Sequence, residues 1–268
     1  MQLTRRQWFE WNDLAATPAP LRDAIVETLS RTLRWGRMME GLVAPLREFL
    51  AAAGTDEVLD VCAGAGGPAA VLADELTRVR AAPRFLLTDL FPRVAMWEPL
   101  RAAHPGVIDY VADSVDATAI PAAVAAGRAR MVINAFHHFP PPLAQAIVDD
   151  AVAHGRGLFI SEAFERNPLA FARFAPAGLA ALAATPLLTR TDRLAKAMYT
   201  WATPLALLAG TFDGLVSTLR IYDERDLRAM VARHGDRFRW TYGTYHYPFG
   251  GVGTYFWGVP RAPDAREP

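Results

Sequence analysis

Chemistry is most concentrated in one short run, Asp60-Val61-Cys62-Ala63-Gly64-Ala65-Gly66-Gly67-Pro68. Glycines let a ligand come against the backbone, and the helix that Pro68 enters offers unpaired N–H groups at its start. Gly64, Gly66 and Ala69 alone satisfy G-x-G-x-x-A, a dinucleotide fingerprint that many unrelated turns also satisfy. Three carboxylates narrow the reading: Asp60 and Asp89 each end an apolar run, and Asp116 follows a third. Open parallel sheets bind ligands at the carboxyl ends of their strands. Asp89, about 20 residues past the glycines, is placed to accept hydrogen bonds from a ribose diol, which NAD and a nucleoside ligand both present. Asp60 separates the two, because a carboxylate beside the loop repels a pyrophosphate and attracts an ammonium or a sulfonium. S-adenosylmethionine (SAM) carries both of those cations.

A second group follows the fourth apolar run. His137 and His138 stand where such a sheet places its substrate, so either imidazole is a candidate to take a proton from an acceptor. The alternative is a capping or packing histidine. No metal is expected, since adjacent residues point differently and no spaced Asp/Glu/His set accompanies them. Asn134 stands at the same mouth. Arg220 and Tyr222 are candidate substrate partners, with a structural salt bridge as the competing reading for Arg220.

The elements that would position these groups are legible from periodicity. Apolar residues at three- and four-residue steps over 20–50 predict two or three amphipathic helices. Strands are then expected at 57–62, 85–90, 107–112, 131–136 and 157–164, separated by helices at 69–79, 93–104, 121–127 and 142–154. That alternation argues for a parallel sheet covered on both faces. The Ala/Leu-rich segment 165–221 breaks the rhythm and reads as a helical insertion, either extra core or a lid over an apolar substrate. A helix at 224–234 precedes two β-rich runs, 238–247 and 254–259, joined by a glycine-containing turn, which predicts a hairpin. Residues 261–268 read as a frayed tail.

With these residues in place, the run 58–67, Thr88-Asp89-Leu90, Asp116-Ala117-Thr118-Ala119-Ile120-Pro121 and 133–139 together resemble the class I SAM-dependent methyltransferases. The resemblance covers about 49–164 plus the closing hairpin. It implies an α/β, Rossmann-like sheet of seven strands in the order 3-2-1-4-5-7-6 with strand 7 antiparallel, carrying N-terminal helices and a helical insertion after strand 5. It also implies SAM as cofactor, with Asp60, Gly64 and Gly66 beside the methionine part and Cys62 and Ala63 in the same loop. Asp89 and Leu90 would lie at the ribose, Asp116 and Ala117 at the adenine, and Asn134 alongside. Cys62 departs from the pattern, standing where the family has its first loop glycine. Residues 213–222, Asp213-Gly214 to Arg220-Ile221-Tyr222, resemble a stretch of one methyltransferase-like branch that implies no particular substrate.

The implied organisation is a cap at 1–48, a cofactor-binding core at 49–164 and 222–260, and an insertion at 165–221. The implied activity is methyl transfer from SAM to a small, hydrophobic or aromatic acceptor. Competing readings are a cofactor-binding protein of the same fold without methyl transfer and an NAD-dependent oxidoreductase.

Composition sets the outer limits. A chain of 268 residues, 52% hydrophobic, can bury a sizeable core. Its 28 basic residues, all but Lys196 arginine, equal its 28 acidic ones, so no global field favours nucleic acid. One cysteine excludes an intrachain disulfide and a Cys-based zinc site, and fits a cytoplasmic setting. No apolar stretch follows Arg5 and Arg6, so no signal peptide is expected. The uncharged stretches 174–189 and 197–212 are short of the ~20 residues a membrane span needs. Trp8, Phe9 and Trp11 are candidates to close over the cofactor or to form a homodimer contact, with packing as the default.

Overall fold

The computed structural model describes residues 4–79, 81 and 83–261. The tail expected at 261–268 lies, beyond Arg261, outside the described residues. Helix α1 (Ala19–Trp35) leads through a short turn to α2 (Val43–Ala53), which stops at Gly54 in the left-handed conformation, φ 64°. Strands and helices then alternate: β1 (Glu57–Val61), α3 (Gly67–Arg78), β2 (Arg84–Thr88), α4 (Val94–Ala103), β3 (Ile108–Tyr110), α5 (Ala122–Ala125), β4 (Ala129–Ile133), α6 (Pro141–His154) and β5 (Leu158–Glu162). Three helices follow, α7 (Ala175–Leu188), α8 (Arg193–Ala197) and α9 (Leu205–Arg220). The chain returns through α10 (Glu224–Ala232) to the hairpin β6 (Phe238–Tyr247) and β7 (Gly251–Pro260).

The seven strands form one sheet in the order β3-β2-β1-β4-β5-β7-β6. Neighbours from β3 to β5 pair parallel, and β7 runs antiparallel to both β5 and β6. Side chains alternate across it as a pleated strand requires. Val58, Met131 and Phe159 join one buried cluster with Leu46, Phe49 and Leu72 of α2 and α3, while Leu59, Val132 and Ile160 join another with Ile147 and Val148 of α6. Both faces are therefore covered, and the central strands β4 and β5 are buried at every residue.

β4 begins and ends two to three residues before the sequence expectation. Its start was hidden by Arg130, a charged residue in a core strand that is buried because Asp150 pairs with it. Its end is set by Asn134, whose φ of 53° leaves the extended region. β3 is shorter than expected, and β7 starts earlier, at Gly251.

The insertion is mainly helical, with a π-helical turn (Met198–Ala202) and a bend of 80° before α9. α1 packs along α7 and also meets α9 and α3, so the N-terminal helix and the insertion form one layer above the carboxyl ends of the strands; α2 packs instead on β7. By length and composition the stretch Pro168–Leu188, 21 residues of mean hydropathy 1.4, could cross a membrane. Here it is a wall of the chamber described next.

Candidate active site

The loop between β1 and α3 is wound tightly by three left-handed residues: Cys62 (φ 63°), Gly64 (φ 54°) and Gly66 (φ 77°). A Cβ at Gly64 would meet nothing within 4 Å, so the space above the loop is open. Cys62 shows why glycine is usual at its position, because a side chain there costs roughly 1 kcal/mol of backbone strain. The loop is fastened from both sides. Ala63 donates to the Thr88 carbonyl (2.9 Å), Gly64 donates to Asp89 Oδ2 (2.9 Å), and Trp97 of α4 donates to the Gly64 carbonyl (2.8 Å).

Asp60, Asp89 and Asp116 converge on this edge. Asp60 is 2% exposed and its Oδ2 has no hydrogen-bond partner; burial first, then the charge of Asp89, push its carboxyl well above the ordinary range. Asp89 spans two amides, taking Phe91 N–H on Oδ1 (2.9 Å) as well as Gly64. Asp116 is exposed, and the hydroxyl and amide of Thr118 on its Oδ1 hold its carboxyl low. Leu90 is half exposed beside Asp89, its carbonyl taken by Ser114, and Ala117 is buried. The Cys62 thiol is driven far up by burial and by these three carboxylates. Ellman's reagent is accordingly expected to modify the native protein at pH 8 at least about 10-fold more slowly than a free cysteine, and one thiol per chain after unfolding. Fast native labelling would mean the thiol is ionised.

Under the helical layer lies a chamber of about 480 Å³ walled by Leu29 of α1, Phe171 and Phe174, Leu182 of α7 and Leu207 of α9. The volume is within the range of small-molecule sites. Its polar end holds Glu10, Asn134, His137, His138 and Asp213. His137 is 3% exposed. Its Nδ1 lies 2.8 Å from Glu162 Oε2, and Glu162 Oε1 accepts the His137 backbone N–H (3.0 Å). A carboxylate can only accept, so the proton sits on Nδ1, and Nε2, buried and without a partner, keeps its lone pair free on a residue that lines the chamber. Asn134 Oδ1 accepts the Ala163 N–H (2.7 Å), and its Nδ2 is buried without a partner.

The His138 ring lies against that of His137, tilted by 34° with centres 4.3 Å apart, its Nδ1 facing Asp13 Oδ1 (3.2 Å) and Arg220 (3.2 Å). The donor atoms of Glu10, His137 and His138 lie within 4.8 Å of one another, so the fold supplies a third group that the adjacent histidines lack in sequence. Glu10, however, already takes Arg220 (3.1 Å) and the Ser217 hydroxyl (2.9 Å). The cluster is an ion-paired network with a guanidinium where a metal would have to compete.

Arg220 and Tyr222, candidate substrate partners by sequence, are not part of this chamber's lining. Arg220 is 3% exposed and spends its guanidinium on Glu10, Asp13 (2.8 Å) and the Trp8 carbonyl (2.8 Å). Burial works to raise the Asp13 carboxyl, but His138 and Arg220 outweigh it and hold it at about 2. Tyr222 donates to the Phe139 carbonyl (2.8 Å), packs on Phe136 and carries the Arg5 guanidinium over its ring. The run 213–220 is thus a clamp. Asp213 accepts the amides of Trp11 and Asn12, Ser217 binds Glu10 and Arg220 binds residues 8–13, all from one face of α9 at helical spacing. Gly214, between them, lies where a Cβ would overlap the Phe171 ring. Trp8, Phe9 and Trp11, on the clamped segment, are each about half exposed. Arg220→Ala strands the buried Glu10 carboxylate, and its expected cost is about 3 kcal/mol. Thermal melts should fall by roughly 5–10 °C, with limited proteolysis newly cutting near residues 8–13; a changed KM at unchanged stability would restore the substrate role.

Glu10 and Glu162 are the site residues that sequence reading missed. Glu162 carries the same signal as Asp60, an acid at the carboxyl end of an apolar strand. Glu10 carries none, since only the folded path of the N-terminus brings it to His138.

No family model matches the chain, and no curated protein matches it by sequence. Solved structures do superpose. An O-methyltransferase from neocarzinostatin biosynthesis, in complex with SAM and 2-hydroxy-5-methyl naphthoic acid, aligns at 17% identity and TM-score 0.51 over 94% of this chain and 61% of its own. The methyltransferase domain of a bacterial Hen1 aligns at 10% identity and TM-score 0.50 over 83% of this chain and 99% of its own. With the strand order above, these likenesses establish that the chain has the Rossmann-like fold of class I SAM-dependent methyltransferases.

Proposed function

We propose that this chain is a SAM-dependent methyltransferase that methylates a hydroxyl on a small, hydrophobic or aromatic molecule, with His137 as general base. The observation that carries the reading is His137, a residue of the apolar chamber's lining whose Nδ1 is held by Glu162 and whose Nε2 is buried without a partner. The neighbour in complex with SAM and 2-hydroxy-5-methyl naphthoic acid supports the same cofactor and a hydroxylated aromatic skeleton for the acceptor.

The residues at the sheet edge fit the cofactor. Open space over Gly64 admits a ligand to the backbone, the orphaned Asp60 oxygen suits an ammonium or sulfonium, and Asp89 suits the ribose diol. The same buried acid opposes NAD, whose pyrophosphate would have to approach it. Bound there, SAM supplies a methyl group on a sulfonium that leaves as a neutral thioether. The protein's own part is chiefly positioning. Leu29, Phe171, Phe174 and Leu182 hold the acceptor's apolar body and exclude water. His137 Nε2 takes the hydroxyl proton as the oxygen forms its bond to the methyl carbon, and Glu162 balances the imidazolium that results. The described N-terminal segment through α1, residues 4–35, and the insertion 165–221 act as the cap that closes the chamber over the core.

The test is incubation with SAM and a panel of hydroxylated aromatics. Formation of S-adenosylhomocysteine together with a methyl ether, identified by mass spectrometry, supports the reading; tight SAM binding with no methylated product across the panel would favour a non-methylating protein of this fold.

A further inference from the structure

The chamber's polar end carries an excess of negative charge. Two carboxylates, Glu10 and Asp213, line it, and no lysine or arginine lines it among the described residues. Immediately behind stand Asp13, against His138, and Glu162, against His137. One guanidinium, Arg220, faces this group, so four carboxylates oppose a single fixed cation. Other cations nearby are spoken for. Arg31 and Lys196 share Glu27 beyond the Thr28–Thr185 hydroxyl pair, and Arg5 donates to the carbonyls of His137 and Phe139; none of the three lines the chamber.

Taking the chamber as the acceptor's site, as the proposed function does, we infer that it selects an uncharged acceptor, a hydroxyl on an apolar body, and rejects acceptors that bear a carboxylate or phosphate, with Glu10 and Asp213 as the specificity-determining residues. An anionic group seated at the polar end would meet buried like charge in a low-dielectric site without a donor cation. A neutral hydroxyl meets no such penalty. It donates to His137 Nε2, while the rest of the molecule lies on leucine and phenylalanine side chains.

The experiment compares a hydroxynaphthoate with its methyl ester, two ligands of one skeleton that differ in charge. Their binding to the full chain in the presence of S-adenosylhomocysteine is measured by calorimetry, a readout that needs no turnover. The ester is expected to bind at least about tenfold more tightly than the acid. Glu10→Gln, which keeps the shape and an oxygen for the Ser217 hydroxyl, should narrow that ratio to within about threefold. Should that variant not fold, Asp213→Asn is expected to narrow it in the same direction. Equal or tighter binding of the acid overturns the inference, as does binding of neither ligand, or a preference that survives in both variants. The methyl-transfer reading fails separately, through absence of S-adenosylhomocysteine binding or of methyl ether formation, so the two failures are distinguishable.

Discussion

Replacing His137 with glutamine is expected to lower turnover by about 10²–10⁴, the range general bases supply, while SAM affinity stays within about twofold of the unaltered protein. The split follows from geometry: His137 lines the acceptor chamber, whereas the glycine loop, Asp60 and Asp89 are not part of its lining. A companion change tests positioning apart from bulk stability. Glu162 binds the His137 amide with one oxygen and the ring with the other. Glutamine at 162 can keep the first bond through its carbonyl, but its NH₂ then faces Nδ1, which reverses the tautomer and puts the proton on Nε2. Such a base cannot accept, so kcat is expected to fall by about 10² or more with KM little changed. The melting temperature serves as the control. If His137→Gln kept its rate within about threefold, the base would have to be sought at His138, or dispensed with, since in-line displacement at a sulfonium can run on positioning alone.

What was legible in the sequence divides along one physical line. Residues 57–164 build each functional position from neighbours close in the chain: the strand ends in an acid, the loop needs left-handed residues, the helix starts at Pro68. The pattern therefore exposes Asp60, Asp89, Asp116 and the order of strands around them. The hairpin was equally local, with alternating apolar residues on both sides of a glycine turn. The acceptor side is different. Its polar end is assembled from Glu10, His137, His138 and Asp213, which come from distant parts of the chain and meet because α9 clamps the N-terminal segment. Arg220 illustrates the consequence: its place in the motif could be read, but its task depends on where residues 8–13 run. β4 shows the same limit within the core, where Arg130 hid the strand's start because Asp150 sits on the following helix.

Asp60→Asn is expected to stabilise the protein without ligand and weaken its hold on SAM, two effects of opposite sign from one carboxyl. In the folded chain the Asp60 carboxyl is raised well above its unfolded value, by burial and then by the charge of Asp89. A raised acid holds its proton in the folded state at pH values where the unfolded chain has released it. Its contribution is complete below the unfolded value, about 3.9, and is progressively lost as pH rises toward the folded value. Near neutral pH the aspartate therefore costs stability, and asparagine removes that cost. Melts at pH 7–8 should show the variant gaining about 1–2 kcal/mol, with the gain shrinking as the pH falls toward 4. Binding reverses the balance. A cationic ligand beside the orphaned Oδ2 favours the ionised carboxylate, so SAM should bind the unaltered protein with net release of a proton, seen as a dependence of the calorimetric heat on buffer ionisation enthalpy. Asparagine offers neither charge nor proton, and SAM affinity should fall by about tenfold or more, with the buffer dependence abolished. A variant that is more stable yet binds SAM unchanged would confine Asp60 to a structural role and leave Asp89 as the principal acid of the cofactor site.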